Sequence, residues 1–111
     1  MSVLCIQIQP SRAPGIDLAL IRGAAAQLGS SGLFTRYGEE EGFDNGAYIN
    51  LYFDAPSAAE AWIAIRSTLY ENESTGAFMQ KSSIATCEGQ QGWDDYLLLH
   101  HFDPTAALDQ L

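Results

Sequence analysis

Between Ala47 and Phe53 the side chains alternate without a break, with Ala47, Ile49, Leu51 and Phe53 on one side and Tyr48, Asn50 and Tyr52 on the other. Successive side chains of a strand point to opposite faces, so this period of two specifies a half-buried strand whose apolar side meets a core. Val3 to Gln9 repeats the pattern, with Leu4, Ile6 and Ile8 opposed to Cys5, Gln7 and Gln9, and Pro10 ends it. Two such strands call for a sheet that is covered on one face and open on the other.

What covers the apolar face is legible as helix. Leu20, Ile21, Ala24 and Leu28 recur at helical spacing between Ile16 and Leu28, with Asp17 near the N-terminal dipole and Gly29 placed to end the run. Ser57-Ala-Ala-Glu60 has the form of a capping box, followed by the apolar stripe Ala58, Ala61, Trp62, Ile65 and Leu69. Leu33 to Gly38 and Ala47 to Phe53 read as a hairpin whose turn is Asp44-Asn45-Gly46, with the carboxylates Glu39, Glu40 and Glu41 expected at its tip. Further strands are predicted at Ala77 to Cys87 and Trp93 to Phe102, joined by the turn-like Glu88-Gly-Gln-Gln-Gly92. Asp103-Pro104 predicts one short helical turn over Thr105 to Leu111.

The resulting order is strand, helix, strand, strand, helix, strand, strand. It predicts an α+β fold: a single domain over residues 1–111, built as a ferredoxin-like βαββαβ sandwich with an extra C-terminal strand, the antiparallel sheet carrying its helices on one face. In that topology the first and third strands are central neighbours. Gln7 then lies close to Tyr48, Asn50 and Tyr52 on the helix-free face.

Fourteen acidic residues against five basic ones give a formal charge of −9, a field that repels phosphate backbones and anionic lipid headgroups and attracts basic partners. Nucleic acid and membrane are therefore not expected partners. The basic-aromatic pattern that stacks RNA bases is missing around Tyr48 and Tyr52, and Gly29-Ser-Ser-Gly32 lacks the lysine and the length of a phosphate-binding loop. No apolar run approaches the ~20 residues of a membrane-crossing helix, and Met-Ser-Val-Leu-Cys has no export-signal pattern, so a cytoplasmic protein is expected. Cys5 and Cys87 are too few for a disulfide scaffold or a structural zinc site and read as packed thiols.

Two acidic-aromatic segments hold the candidate site residues. In "YGEEEGFDNG" (37–46), Glu39, Glu40 and Glu41 are consecutive, unlike the alternating oxygen ligands of a calcium loop, so a metal is not expected there. The alternatives are a solvated loop and a surface that contacts a cationic partner, to which Asp44 would add. In "GWDDY" (92–96), Asp94 and Asp95 diverge in a strand, which disfavours paired acid-base work. Beside Trp93 they suit an interface with lysine or arginine, or simply a charged sheet edge. Tyr48 and Tyr52 fit a protein interface, a homodimer face or a cavity wall. His100 and His101 are adjacent and cannot chelate one ion from a strand, and no catalytic residue or cofactor is expected.

Size, charge and the segments "YGEEEGF" and "GWDDY" together resemble the small acidic immunity proteins of bacterial contact-dependent inhibition and related polymorphic toxin systems. The resemblance implies a stoichiometric inhibitor that binds a basic cognate toxin, often a nuclease, but carries no residue-level correspondence; the charge and the aromatic anchors themselves put the expected partner surface at Glu39, Glu40, Glu41, Asp44, Tyr48, Tyr52, Trp93, Asp94 and Asp95. Two other readings stay open. The length and element order are also similar to those of ferredoxin-like, cofactor-independent monooxygenases, which implies a small-ligand pocket between sheet and helices near Asn50, Trp62, Trp93 and His100. The third is a regulatory subunit that dimerises through its sheet.

Overall fold

Strand β1 (Ser2–Ile8) and strand β3 (Ala47–Ala55) pair antiparallel along their length, Leu4 opposite Phe53, Ile6 opposite Leu51 and Ile8 opposite Ile49. These six side chains are buried on one face, as the alternation requires. A computed structural model describes residues 2–111 and places the pair at the centre of a five-stranded antiparallel sheet. Its order is β2-β3-β1-β4-β5, where β2 is Arg36–Phe43, β4 is Ser83–Gly89 and β5 is Gly92–His100. The first four strands have the ferredoxin-like order, and β5 extends the sheet beyond β4.

Three helices pack on one face. Helix α1 (Leu18–Gly29) starts at Asp17, whose carboxylate accepts the Leu20 N–H at 3.1 Å, and buries Ile21 and Ala25. Helix α2 (Ala58–Ile65) starts at Ser57, whose hydroxyl accepts the Glu60 N–H at 3.3 Å, and runs on into a π-helical turn at Arg66–Tyr70. Its stripe of Ala61, Ile65 and Leu69 joins Leu4, Ile6, Leu51 and Phe53 in one core.

Three expectations are corrected. The strand expected to end at Gly38 continues to Phe43, so Glu39, Glu40 and Glu41 lie within β2, paired with Leu51, Asn50 and Ile49, and only Asp44-Asn45-Gly46 forms the tip. That tip has the positive backbone angles expected of it, φ 58° at Asn45 and 144° at Gly46. The first half of the strand expected from Ala77 to Cys87 is helix α3 (Gly76–Ser82), because Met79 and Ser82 reach the interior at helical rather than alternating spacing. The tail forms no helix. Asp103 does accept the Thr105 N–H at 2.9 Å, but the chain then runs along the outer edge of β5, where Asp109 bonds both the N–H and the carbonyl of Leu98.

No helix among the described residues is long and apolar enough to cross a membrane.

Candidate functional site

Directly paired residues of an antiparallel sheet share a face, so the register fixes what the helix-free surface carries. Cys5 opposes Tyr52 and Thr86, Gln7 opposes Asn50 and Ile84, and in β2 Gly38, Glu40 and Gly42 oppose Tyr52, Asn50 and Tyr48. Tyr48 and Tyr52 therefore occupy this face as expected. The Tyr48 ring lies directly over Gly42, filling the space in which any Cβ at that position would sit.

A directed chain of hydrogen bonds organises the surface. The Arg12 Nε donates to Gln9 Oε1, Gln9 Nε2 to Gln7 Oε1 (2.9 Å), Gln7 Nε2 to Asn50 Oδ1 (3.2 Å) and Asn50 Nδ2 to the Tyr52 hydroxyl (3.2 Å). Each amide donates to the next oxygen of the chain, a side-chain carbonyl for Gln9 and Gln7 and the Tyr52 hydroxyl for Asn50, which fixes their orientations. Asn50, only 9% exposed, is the buried centre of the chain and is satisfied by it.

Cys5 sits beside Tyr52, and burial pushes its thiol up to about 11, against the hydrogen bond from Tyr52 that lowers it. The sign is that of a group held neutral, so thiolate is scarce at neutral pH. Alkylation of Cys5 by iodoacetamide at pH 8, followed by mass spectrometry, is expected to run at least about tenfold slower in the folded than in the urea-unfolded protein. Equal rates would contradict the burial-driven shift.

The acidic triplet is split between the two faces. Glu39 and Glu41 point to the helix side, where Arg22 of α1 bonds both, at 2.7 Å and 3.0 Å, and the Tyr37 hydroxyl donates to Glu39 at 3.0 Å. The Glu39 hydrogen bond and charge, with a smaller contribution from Glu41, raise the Arg22 pKa further. Glu40 alone faces the helix-free side. Arg22 was missed in the sequence, although two carboxylates two residues apart share a strand face, where a cation on a covering helix can join them.

Trp93, Asp94 and Asp95 lie in β5, at the sheet edge opposite to β2. Four inter-strand spacings of about 4.8 Å put the two acidic-aromatic segments roughly 19 Å apart. They do not converge on one spot; they flank the helix-free face. Each edge bears exposed aromatic surface: in β5 Trp93 is 43% and Tyr96 55% exposed, and in β2 Phe43 is 80% exposed but, opposite Ala47, lies on the helix side. Glu40, Asp44, Asp94 and Asp95 have no ion-pair partner among the described residues.

The residues of the small-ligand alternative are dispersed. Trp62 and His100 do line a common cleft of about 380 Å³ with Tyr70, but Asn50 is on the other side of the sheet and Trp93 does not line the cleft. His100 packs its ring on Tyr70, with 4.7 Å between centroids, and donates to the Gln80 carbonyl (3.2 Å), while burial lowers its pKa. His101 accepts the Asp103 N–H and stacks on Phe102. Both imidazoles are thus engaged in packing and local hydrogen bonds.

A second concavity went unnoticed in the sequence. At the end of the helix-free face a groove of about 800 Å³ is bounded by β1, the 3₁₀ turn Pro10–Arg12, the β2–β3 turn, α3 and the segment after β5. No single stretch announces it, because its lining comes from five separate parts of the chain. Comparison with family models, with curated proteins and with solved structures returns no match for this chain.

Proposed function

We propose that the protein is a stoichiometric, non-catalytic binder of a basic protein, and that it acts as an immunity protein which neutralises a cationic toxin such as a nuclease. The observation that carries this reading is the uncovered sheet face, flanked on both edges by carboxylates without an ion-pair partner among the described residues and, at the β5 edge, by the exposed aromatics Trp93 and Tyr96. A partner laid across it meets Tyr48 and Tyr52 near the middle and negative charge at either side. A standard interface buries about 800 Å² on each partner, roughly 30 Å across, enough to reach from one edge to the other. Tyrosine and tryptophan supply the anchoring contacts, and a net charge of −9 accelerates encounter with a cation. Glu39 and Glu41 contribute less than their number suggests, since Arg22 already offsets them.

The test has two parts. The product of the adjacent gene is co-expressed and captured, and rescue from its toxicity is scored; a harmless neighbour together with the absence of any co-purifying basic protein would end the immunity reading. With a captured partner, the variant Glu40→Gln/Asp44→Asn/Asp94→Asn/Asp95→Asn is compared with Glu39→Gln/Glu41→Gln in stopped-flow association. The first is expected to slow association about tenfold at low salt and flatten its salt dependence, and the second to change it much less. If the fourfold variant associates at the unaltered rate, the interface lies elsewhere.

A further inference from the structure

The chain has five basic residues, and three are consumed by ion pairs: Arg22 with Glu39 and Glu41, Arg36 with Asp54, and Arg66 with Glu71. Arg12 and Lys81, the two without an ion-pair partner among the described residues, come from different elements and line the same groove. In a molecule of charge −9 this groove is lined by both of the cations that have no ion-pair partner among the described residues. We propose that the groove is a binding site for a small organic anion, a molecule with a carboxylate or phosphate head.

The geometry prepares Arg12 for that role. Its guanidinium lies 3.6 Å from the centroid of the Phe102 ring, and its Nε is spent on Gln9, which leaves both Nη groups without a partner among the described residues. A guanidinium stacked on one face and tethered at Nε offers its remaining edge as a fixed pair of donors, the fork that matches a carboxylate or phosphate. Gln9 is itself held by its hydrogen bonds to Gln7 and, through its backbone N–H, to the Ser82 carbonyl at 2.7 Å, so the tether is rigid. Lys81 supplies a second positive charge from the last turn of α3. On the far wall the β2–β3 turn presents the Asp44 carboxylate and the Asn45 amide, which suit an ammonium or hydroxyl on the body of the ligand. The volume falls within the ~300–1,000 Å³ of small-molecule sites, larger than a single side chain of a macromolecular partner would fill.

The test uses the intact, ¹⁵N-labelled protein, titrated separately with inorganic phosphate, succinate, glutamate and spermidine. Saturable amide shifts at Arg12, Gly46 and Lys81 are expected with phosphate or succinate, and the one that binds tighter identifies the head group. Spermidine is expected to leave these three amides unmoved. Arg12→Gln and Lys81→Gln should each weaken binding about tenfold or more, the usual cost of losing a hydrogen bond to a charged group. Because Arg12→Gln also cuts the tether to Gln9, Lys81→Gln serves as the variant that leaves the groove wall intact. Glutamate should bind tighter than succinate, and Asp44→Asn should abolish the difference. Absence of saturation by about 50 mM of every anion, which corresponds to negligible affinity, would overturn the site. So would shifts that persist in the Arg12→Gln/Lys81→Gln double variant, or saturation by an acidic polyglutamate peptide alone, which would reassign the groove to a protein side chain.

Discussion

Phe53→Ala is expected to lower folding stability by about 3–5 kcal/mol, a large share of the roughly 5–15 kcal/mol available to a domain of this size. Phe53 is fully buried on the central strand β3, opposite Leu4 of β1 and Tyr37 of β2. Its ring packs against Phe34 at 5.2 Å and Tyr37 at 5.0 Å, tilted in both cases. Truncation removes the apolar transfer contribution, leaves a cavity lined by two aromatic rings and frees the segment that leads into β2. Urea denaturation followed by tryptophan fluorescence measures the loss, with an unchanged slope if the unfolded state is unaffected. Phe43→Ala is the control, because that ring is largely in water and its removal should shift stability by less than about 0.5 kcal/mol. A loss below about 1 kcal/mol at Phe53 would mean that the core collapses around the gap, contrary to the close packing expected of an interior.

Gly89→Ala is expected to release strand β5 while leaving the rest of the sheet paired. A Cβ on Gly89 would stand 1.8 Å from the carbonyl oxygen of Asp95 and 3.1 Å from one of its carboxylate oxygens. The obstacle is main chain, so no rotamer change relieves it. The β4–β5 ladder is already irregular here, with a register shift between Cys87 and Gly89. Overpacking of this kind costs about 1–3 kcal/mol. Hydrogen exchange should show amide protection lost over Gly92–Tyr96 and retained in β1 and β3. Gly38→Ala, where a Cβ meets nothing within 4 Å, should preserve protection everywhere. If the two variants exchange alike, the close approach of Asp95 does not hold the hairpin in place.

The parts of the fold that were legible in the sequence are those where one local signal decides. Alternation decided β1 and β3, Ser57 and its stripe decided α2, and the Asp44-Asn45-Gly46 turn followed from the need for positive φ. Together these were enough for the strand order, and so for the contact between Gln7 and Asn50. Where long-range pairing outweighed local preference, the reading failed. Glycine and glutamate are poor strand formers, so 38–42 read as a loop, yet pairing with β3 extends the strand through them. Helix α3 is seven residues long and buries Met79 and Ser82 as side chains, too little periodicity to stand out from the strand that follows. The candidate site was half legible. Tyr48 and Tyr52 fell on the expected face, but the placement of the triplet within β2, its division by Arg22 and the meeting of Arg12 and Lys81 at one groove depend on packing between distant segments.

An antiparallel sheet that is not closed into a barrel keeps two rows of unused backbone hydrogen-bonding groups, each of which invites another chain to dock as a further strand. On the β5 side, Asp109 already occupies the donor and acceptor of Leu98. On the β2 side the guard is the run Glu39-Glu40-Glu41, which sends negative charge to both faces of the sheet in succession. A second copy that approached this edge antiparallel would set carboxylates against carboxylates whether it arrived in register or slipped by one residue. The same triplet therefore disfavours strand addition by a second copy at this edge, an effect that needs no partner at all.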